Sequence, residues 1–156
     1  MKILFVCSGN TCRSPLAEAI GRREAIERGM LDVDVESAGT SAYDGAPASD
    51  GSLLVALERR LNIGAHQARL LTRELVQHAS LVLAMAPQHL EQVIALGGEG
   101  KGALLTEYAH DGRVAVAIPD PFGGDLATYR ATADELGAHI RLVFDRLSRD
   151  RAGASR

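Results

Sequence analysis

Short apolar segments alternate with helical patterns along the chain. Residues 2–7, KILFVC, form a continuous apolar run that is too short for a helix and ends at Ser-Gly-Asn, which predicts a buried strand. Alternation over 31–37 and an apolar run over 80–85 predict two further strands, and 103–106 predicts a weak fourth. This alternation of strands and helices predicts an α/β layer architecture with a parallel sheet.

Five segments between these strands carry helical signals. They are a segment from Pro15 to about Gly29, a segment over 53–61, a short segment with Thr72 as its N-cap, a segment opened by Pro87, and a segment over 126–147 capped by Asp125. The last is the clearest, because apolar residues recur there at intervals of three and four positions. Residues 108–124 are predicted to be a long irregular stretch.

The composition is that of one globular domain. The chain has 156 residues, of which 46% are hydrophobic and 24% charged. We predict a single domain over 1–150 and a frayed tail over 151–156.

No apolar run is long enough for a membrane helix, and the first residues are too polar for a signal peptide, so we expect a cytoplasmic protein without a membrane partner. A net charge of −3 and 4% aromatic residues argue against nucleic acid binding. Nothing suggests an obligate interface, so we expect a monomer.

The only cysteines are Cys7 and Cys12. A disulfide framework needs more cysteines, and a zinc site needs further ligands at suitable spacing. Two interpretations stay open at this point. One thiol is reactive, or one cysteine is a small buried hydrophobe and the other is incidental.

The loop after the first strand has the features of an anion-binding loop. In parallel sheets, ligands bind beyond the carboxyl ends of the strands, and this loop connects such an end to a helix. Gly9 and Asn10 tolerate left-handed backbone, so successive N–H groups can face a bound anion, and the helix N-terminus favours negative charge there. Arg13 can bind two phosphate oxygens, and Ser14 can donate to a thiolate at Cys7. We predict covalent phosphoryl transfer with Cys7 as nucleophile.

A general acid is also needed for this chemistry, and Asp120 is the candidate. It stands in Asp-Pro-Phe-Gly-Gly-Asp, where Pro121 restrains its backbone. Asp120 would protonate the leaving atom and later accept a proton from the attacking water. The alternative is that this segment is only a turn that leads to an N-cap at Asp125.

Three motifs together resemble the low-molecular-weight protein-tyrosine-phosphatase family. They are FVCSGNTCRSP near the N-terminus, SAGT at 37–40 and DPFGG at 120–124, and the similarity extends over the whole chain. The resemblance implies a three-layer, flavodoxin-like fold with a four-stranded parallel sheet and helices on both faces. It implies Cys7 as nucleophile, Arg13 as phosphate clamp and Asp120 as general acid and base. It further implies phosphorylated protein substrates and neither a metal nor a cofactor.

The resemblance also implies roles for other residues. By this resemblance, the phosphate-binding loop consists of Ser8, Gly9, Asn10, Thr11, Cys12, Arg13 and Ser14, and the residues that support it by hydrogen bonds are Asn10, Ser14, Ser37 and His66. The residues that form the substrate cleft are Thr11, Tyr43 and Phe122. By the same resemblance, Cys12 is the thiol that can trap an oxidised Cys7 as a disulfide. Without the resemblance, a surface or helix-end histidine is the preferred interpretation of His66. Ordinary packing is the alternative role of Tyr43 and Phe122.

Thr11 bears on the choice of substrate. Tyrosine-specific members of the family commonly have a bulky aliphatic residue there, and CxGNTCRSP with DPFGG resembles the bacterial protein-arginine-phosphatase branch. A threonine hydroxyl can accept a hydrogen bond from a phosphorylated guanidinium, and Asp120 complements its charge. We therefore predict a phosphoarginine phosphatase, with a tyrosine phosphatase as the alternative.

Two other classes of function fit the sequence less well than a phosphatase. An arsenate reductase is disfavoured because no cysteine follows Cys12 to complete a thiol relay. A non-catalytic flavin binder or phosphoprotein reader is disfavoured because the thiol, the arginine and the acid are all present.

Overall fold

A computed structural model describes residues 1–154, and its centre is a four-stranded sheet. The strands are β1 Lys2–Cys7, β2 Asp34–Gly39, β3 Leu81–Ala84 and β4 Gly102–Leu104. All neighbours pair in parallel in the order β2-β1-β3-β4. The predicted α/β class with a four-stranded parallel sheet is therefore confirmed.

Helices cover both faces of this sheet. They are α1 Arg13–Glu27, α2 Asp50–Glu58, α3 Arg73–His78, α4 Pro87–Val93, α5 Leu105–Ala109 and α6 Leu126–Ala154, and a π-helical turn follows α4 over Ile94–Gly98. Alternate residues of β1 point to opposite faces, as expected for a strand. Ile3 and Phe5 join the core beneath α1, α2, α5 and α6, whereas Leu4 and Val6 join the smaller core beneath α3 and α4.

Three of the five predicted helix starts agree with the structure, whereas α1 and α2 begin at Arg13 and Asp50, before the predicted starts at Pro15 and position 53. Thr72 Oγ1 accepts a hydrogen bond from the Leu75 N–H at 3.2 Å, and Asp125 Oδ1 accepts one from the Thr128 N–H at 2.9 Å. Pro87 opens α4, where its missing N–H costs no helical hydrogen bond. These N-caps and the proline are therefore confirmed.

Three predicted strands have different boundaries, of which β3 is only trimmed by one residue at each end, to Leu81–Ala84. β2 begins at Asp34 rather than at position 31, because Leu31 and Asp32 form a turn before the Asp34 N–H bonds to the Met1 carbonyl. The fourth strand ends at Leu104, and the next five residues form α5, which the sequence pattern did not predict. Thr106 was placed in that strand, but it lies in α5, where its hydroxyl donates to the Val116 carbonyl at 2.7 Å.

The last helix continues into the predicted tail. Residues 151–154 are helical, and Arg151 Nη2 lies 2.8 Å from Asp32 Oδ2. This ion pair ties the end of α6 to the turn before β2. The remaining tail positions, 155–156, lie outside the described residues. Within residues 1–154, no helix combines the length and the apolar character that crossing a membrane requires.

Candidate active site

The loop between β1 and α1 begins at a buried thiol. β1 is the second strand of the sheet, and its last residue, Cys7, pairs with Gly39 at the end of β2. Cys7 is 2% exposed, and its Sγ lies 2.9 Å from Ser14 Oγ in the first turn of α1. The thiol therefore stands at the carboxyl edge of the sheet, beside a hydroxyl and a helix N-terminus. Both can stabilise negative charge on sulfur.

Asn10 is the centre of the loop's hydrogen bonding. Its backbone has φ 56°, in the left-handed region, and its side chain is fully buried. Asn10 Nδ2 donates to Ser14 Oγ at 2.8 Å and to Ser37 Oγ at 2.9 Å. Asn10 Oδ1 accepts from the Arg69 N–H at 2.9 Å. One amide thus connects the loop to α1, to β2 and to the segment before α3.

The structure also brings His66 to this loop. Its Nε2 lies 2.7 Å from the carbonyl oxygen of Asn10. The sequence alone favoured a surface or helix-end histidine at this position. All four predicted support residues, namely Asn10, Ser14, Ser37 and His66, therefore belong to one hydrogen-bonded network.

The predicted clamp and the predicted acid lie next to each other. Arg13 is 3% exposed, and its Nη1 donates to the Ile118 carbonyl at 2.9 Å. The Ile118 N–H bonds in turn to the Met85 carbonyl after β3, which fixes the irregular segment against the sheet. Arg13 Nη2 lies 3.6 Å from Asp120 Oδ2, whose side chain is half exposed. An accessible carboxyl group thus borders a buried guanidinium.

Asp120 also fits the turn interpretation. Its Oδ1 accepts a hydrogen bond from the Phe122 N–H at 3.0 Å, which is the local bond expected when an aspartate begins a turn. The two interpretations are compatible, because this bond orients the carboxylate while Oδ2 faces Arg13.

These groups surround a cavity of about 160 Å³. Its lining residues are Cys7, Gly9, Thr11, Cys12, Arg13, Asp120 and Phe122. Phe122 is 77% exposed, as a residue at the mouth of a cleft would be. Tyr43 is 85% exposed and does not line this cavity, although the family resemblance implied a place for it in the cleft.

A larger cavity of about 750 Å³ lies behind the loop, between α1 and the segment before α3. It reaches Ser37 and His66 but contains neither cysteine nor Asp120. The smaller cavity is therefore the candidate site, because the nucleophile, the cation and the acid meet there. No group of three metal-ligating side chains lies close enough together within residues 1–154 to hold a metal ion.

Cys12 is a free thiol, as is Cys7. Cys12 Sγ donates to Ser49 Oγ at 3.2 Å and lies 3.6 Å from the Tyr129 hydroxyl. Burial and the hydrogen bond to Cys12 raise the pKa of Tyr129. Cys12 is therefore held by the N-cap residue of α2 and by Tyr129 of α6, and its redox role stays a prediction.

Two residues at this site were not predicted. A β-carbon at Gly39 would lie 2.4 Å from the Ser8 carbonyl oxygen and 2.8 Å from the Asn10 nitrogen. His89 in α4 is fully buried, and its Nε2 lies 2.8 Å from Ser8 Oγ. Burial lowers the pKa of His89 to about 4, and the charge of Arg13 acts in the same direction. Gly39 could have been predicted, because it belongs to the SAGT motif at 37–40. His89 could not, because the spacing of residues in a helix does not show which residue of another segment it contacts.

The chain is similar to known phosphatases over nearly its whole length. A model of the family "Low molecular weight phosphotyrosine protein phosphatase" matches residues 2–153. The chain is 39% identical over 153 residues to a protein-arginine-phosphatase from Bacillus subtilis, covering 97% of this chain and 99% of that protein. It is 34% identical over 129 residues to the low molecular weight protein-tyrosine-phosphatase Wzb from Escherichia coli, covering 83% of each.

A solved structure gives the same fold. It is a mutant of the YwlE arginine phosphatase with a phosphorylated active-site serine. The TM-score is 0.87 at 39% identity, and the match covers 97% of this chain and 99% of the other.

Proposed function

Because the chain belongs to the low molecular weight phosphotyrosine protein phosphatase family, we propose that it dephosphorylates phosphoarginine in proteins through a cysteinyl phosphate at Cys7. One observation carries the proposal. Cys7, Arg13 and Asp120 line the same small cavity, and Cys7 Sγ lies 2.9 Å from Ser14 Oγ. A nucleophile, a phosphate-binding cation and an acid at one anion-binding loop are the parts that covalent phosphoryl transfer requires.

In the first step, the Cys7 thiolate attacks phosphorus and the bond from phosphorus to the guanidine nitrogen breaks. Asp120 transfers its proton to that nitrogen as the bond breaks, so the phosphorylated guanidinium releases arginine as a guanidinium cation rather than as neutral guanidine, and Asp120 becomes a carboxylate. Arg13 and the loop N–H groups bind the phosphoryl oxygens, where negative charge must be held as the phosphoryl group moves. Ser14 stabilises the sulfur before attack.

In the second step, water attacks the cysteinyl phosphate. Asp120, now a carboxylate, accepts a proton from that water. The phosphorus–sulfur bond breaks, inorganic phosphate leaves, and the Cys7 thiolate is regenerated with Ser14 as its hydrogen-bond donor. A relative with a phosphorylated active-site serine supports a covalent phosphoenzyme at this position.

Thr11 supports arginine as the target. It lines the cavity together with Asp120, so the threonine hydroxyl and the carboxyl group can both accept hydrogen bonds from the N–H groups of a phosphorylated guanidinium. An aliphatic side chain at position 11 would leave those groups unpaired, which is costly in a closed site. The similarity to protein-arginine-phosphatases points in the same direction.

A tyrosine phosphatase is the second candidate, and the exposed ring of Phe122 favours it. Phe122 lines the cavity and is 77% exposed, so a phosphotyrosine ring has an aromatic surface on which to stack. The similarity to Wzb supports the same activity.

One paired assay separates the two substrates. Wild type and Thr11→Ile are each given phosphoarginine and phosphotyrosine peptides of otherwise identical sequence, and kcat/KM is measured for all four pairs. We expect wild type to prefer phosphoarginine and Thr11→Ile to lose at least about tenfold of that preference. Faster turnover of phosphotyrosine by wild type would reject the arginine assignment. Cys7→Ser serves as the blank, because the substituted hydroxyl is a much weaker nucleophile.

The remaining expectations are part of the same proposal. A cytoplasmic location fits two unbridged thiols, since Cys7 must stay reduced to attack phosphorus. We also propose that the chain works as a monomer and as a single domain, because every group named in the mechanism comes from one chain. Arsenate reduction is not proposed, because no cysteine follows Cys12.

A further inference from the structure

A buried histidine contacts the residue that follows the nucleophile. His89 stands in α4, on the opposite side of β1 from α2, and none of its surface is exposed. Its Nε2 lies 2.8 Å from Ser8 Oγ. The Ser8 carbonyl accepts a hydrogen bond from the Ser41 N–H at 2.9 Å. Ser8 is thus held through its backbone by the segment after β2 and through its hydroxyl by α4.

The other ring nitrogen of His89 identifies the tautomer. His89 Nδ1 is buried and has no hydrogen-bond partner among residues 1–154. A neutral imidazole has one N–H and one lone pair, and burying an unpaired N–H costs more than leaving a lone pair unused. The proton is therefore placed on Nε2, which donates to Ser8 Oγ.

This tautomer decides what Ser8 can do. Because Ser8 Oγ accepts from His89, its own proton must point elsewhere. No other partner of Ser8 Oγ occurs among the described residues, and Ser8 is partly exposed. The hydroxyl proton is consequently available to an acceptor outside the protein.

The surroundings of His89 keep it a neutral donor. The guanidinium of Arg13 and the carboxylate of Asp120 are the charged groups that act on it, with opposite effects. Burial and Arg13 outweigh Asp120, so the pKa of His89 falls to about 4. A neutral ring adds no second positive charge behind the loop.

We propose that His89 is a positioning residue for the phosphatase reaction, which holds Ser8 by donating from Nε2 and so fixes the first peptide of the phosphate-binding loop and the direction of the Ser8 hydroxyl. It acts through Ser8 and touches no reacting atom. This inference rests on the proposed function, because the geometry it maintains is that of the loop that binds the phosphoryl group.

Five proteins test the inference. They are wild type, His89→Leu, His89→Gln, Ser8→Ala and the His89→Leu/Ser8→Ala double variant. Turnover of p-nitrophenyl phosphate and the Kd of inorganic phosphate are measured for each. Glutamine can donate from its amide at nearly the position of imidazole Nε2, whereas leucine cannot. We expect His89→Leu and Ser8→Ala each to weaken phosphate binding and kcat/KM by about three- to tenfold, the size of one lost hydrogen bond.

The proposal further requires that His89→Gln recovers most of the loss and that the double variant is no worse than the poorer single variant. Nitrogen-15 NMR of wild type should show one neutral ring with its proton on Nε2 at pH 6. His139→Gln is the matched control, since this partly buried histidine of α6 lies away from the loop and contacts His110. It should leave both readouts unchanged.

Three results would overturn the inference. They are additive losses in the double variant, a folded His89→Leu with wild-type phosphate affinity, and a proton on Nδ1. If His89→Leu does not fold, Ser8→Ala and His89→Gln still decide the question. Failure of wild type to turn over any phosphorylated substrate would instead refute the proposed function, and the phosphate Kd and the tautomer would still be measurable.

Discussion

The α-carbon of Gly39 faces Ser8 so closely that a β-carbon at position 39 would lie 2.4 Å from the Ser8 carbonyl oxygen. The obstacle is backbone rather than a flexible side chain, so it cannot be relieved by a rotamer change. Adjacent hydrogen bonds, from Thr40 N–H to the Cys7 carbonyl and from Ser41 N–H to the Ser8 carbonyl, hold the two segments together. The end of β2 is therefore part of the support of the phosphate-binding loop.

Gly39→Ala should reduce both stability and activity. The new methyl group must push the loop away from β2, and overpacking of this kind typically costs about 1–3 kcal/mol. We expect a lower Tm and a large fall in kcat/KM. Gly137→Ala is the control, because a β-carbon there meets nothing within 4 Å in α6, and it should raise stability by about 0.5–1 kcal/mol. Normal activity in Gly39→Ala would show that the loop tolerates displacement.

Substitutions of Cys7 and Asp120 should have different effects on the kinetics. Cys7→Ser should abolish turnover, because a serine hydroxyl is a much weaker nucleophile than a thiolate and a phosphoserine has a poorer leaving group than a cysteinyl phosphate. Asp120→Asn should lower kcat by about 10²–10⁴-fold with little change in KM, because it removes the transferable proton and keeps the shape of the side chain. Stopped-flow and steady-state assays with phosphopeptides measure both.

Asp125→Asn is the matched control for Asp120. It changes another carboxylate of the same segment, and asparagine caps a helix about as well as aspartate. Its turnover should equal that of wild type. Full activity in Asp120→Asn would remove Asp120 from the mechanism and leave only its role in the turn.

Asn10 should matter for its side chain as well as for its backbone conformation. Asn10→Ala removes the bonds to Ser14, Ser37 and Arg69 and places alanine at φ 56°, which costs about 1–2 kcal/mol in backbone strain alone. Asn10→Gly removes the same bonds without that strain. We expect both variants to lose about a hundredfold in kcat/KM, since small displacements of a reacting group are costly.

Thermal unfolding distinguishes the two contributions at position 10. Asn10→Gly should unfold at a higher temperature than Asn10→Ala, by the difference in strain. Recovery of activity in the glycine variant would mean that only the left-handed backbone is needed and that the amide bonds are dispensable.

His89 should make the protein less stable as the pH falls. Its pKa is near 6.5 in the unfolded chain and about 4 in the folded one, so the unfolded state binds more protons between these values. The contribution to stability is complete above pH 6.5 and is lost as the pH falls towards 4, at up to about 1.4 kcal/mol per pH unit. Denaturant unfolding of wild type and His89→Gln from pH 7.5 to 4.5 measures it. The variant should lose less stability over this range, and parallel curves would contradict the assignment.

The local sequence determined the strands, most helix starts and the candidate chemistry. Some features depend only on residues that are close together in the sequence, so the sequence alone can predict them. They are the apolar run ending at Cys7, the helix caps at Thr72 and Asp125, and the motif of the loop. The α5 helix was missed because its short apolar segment is equally compatible with a strand. The motifs then gave the family, from which the support residues were inferred.

Only the tertiary structure decided which distant residues complete the site. Ser37, His66 and Arg69 reach Asn10 from 27, 56 and 59 positions away, and His89 reaches Ser8 from 81. Such contacts are set by the packing of helices and strands around the sheet, which local pattern does not encode. The placement of Asp120 against Arg13 has the same origin, because it depends on the anchoring of Ile118 to the end of β3.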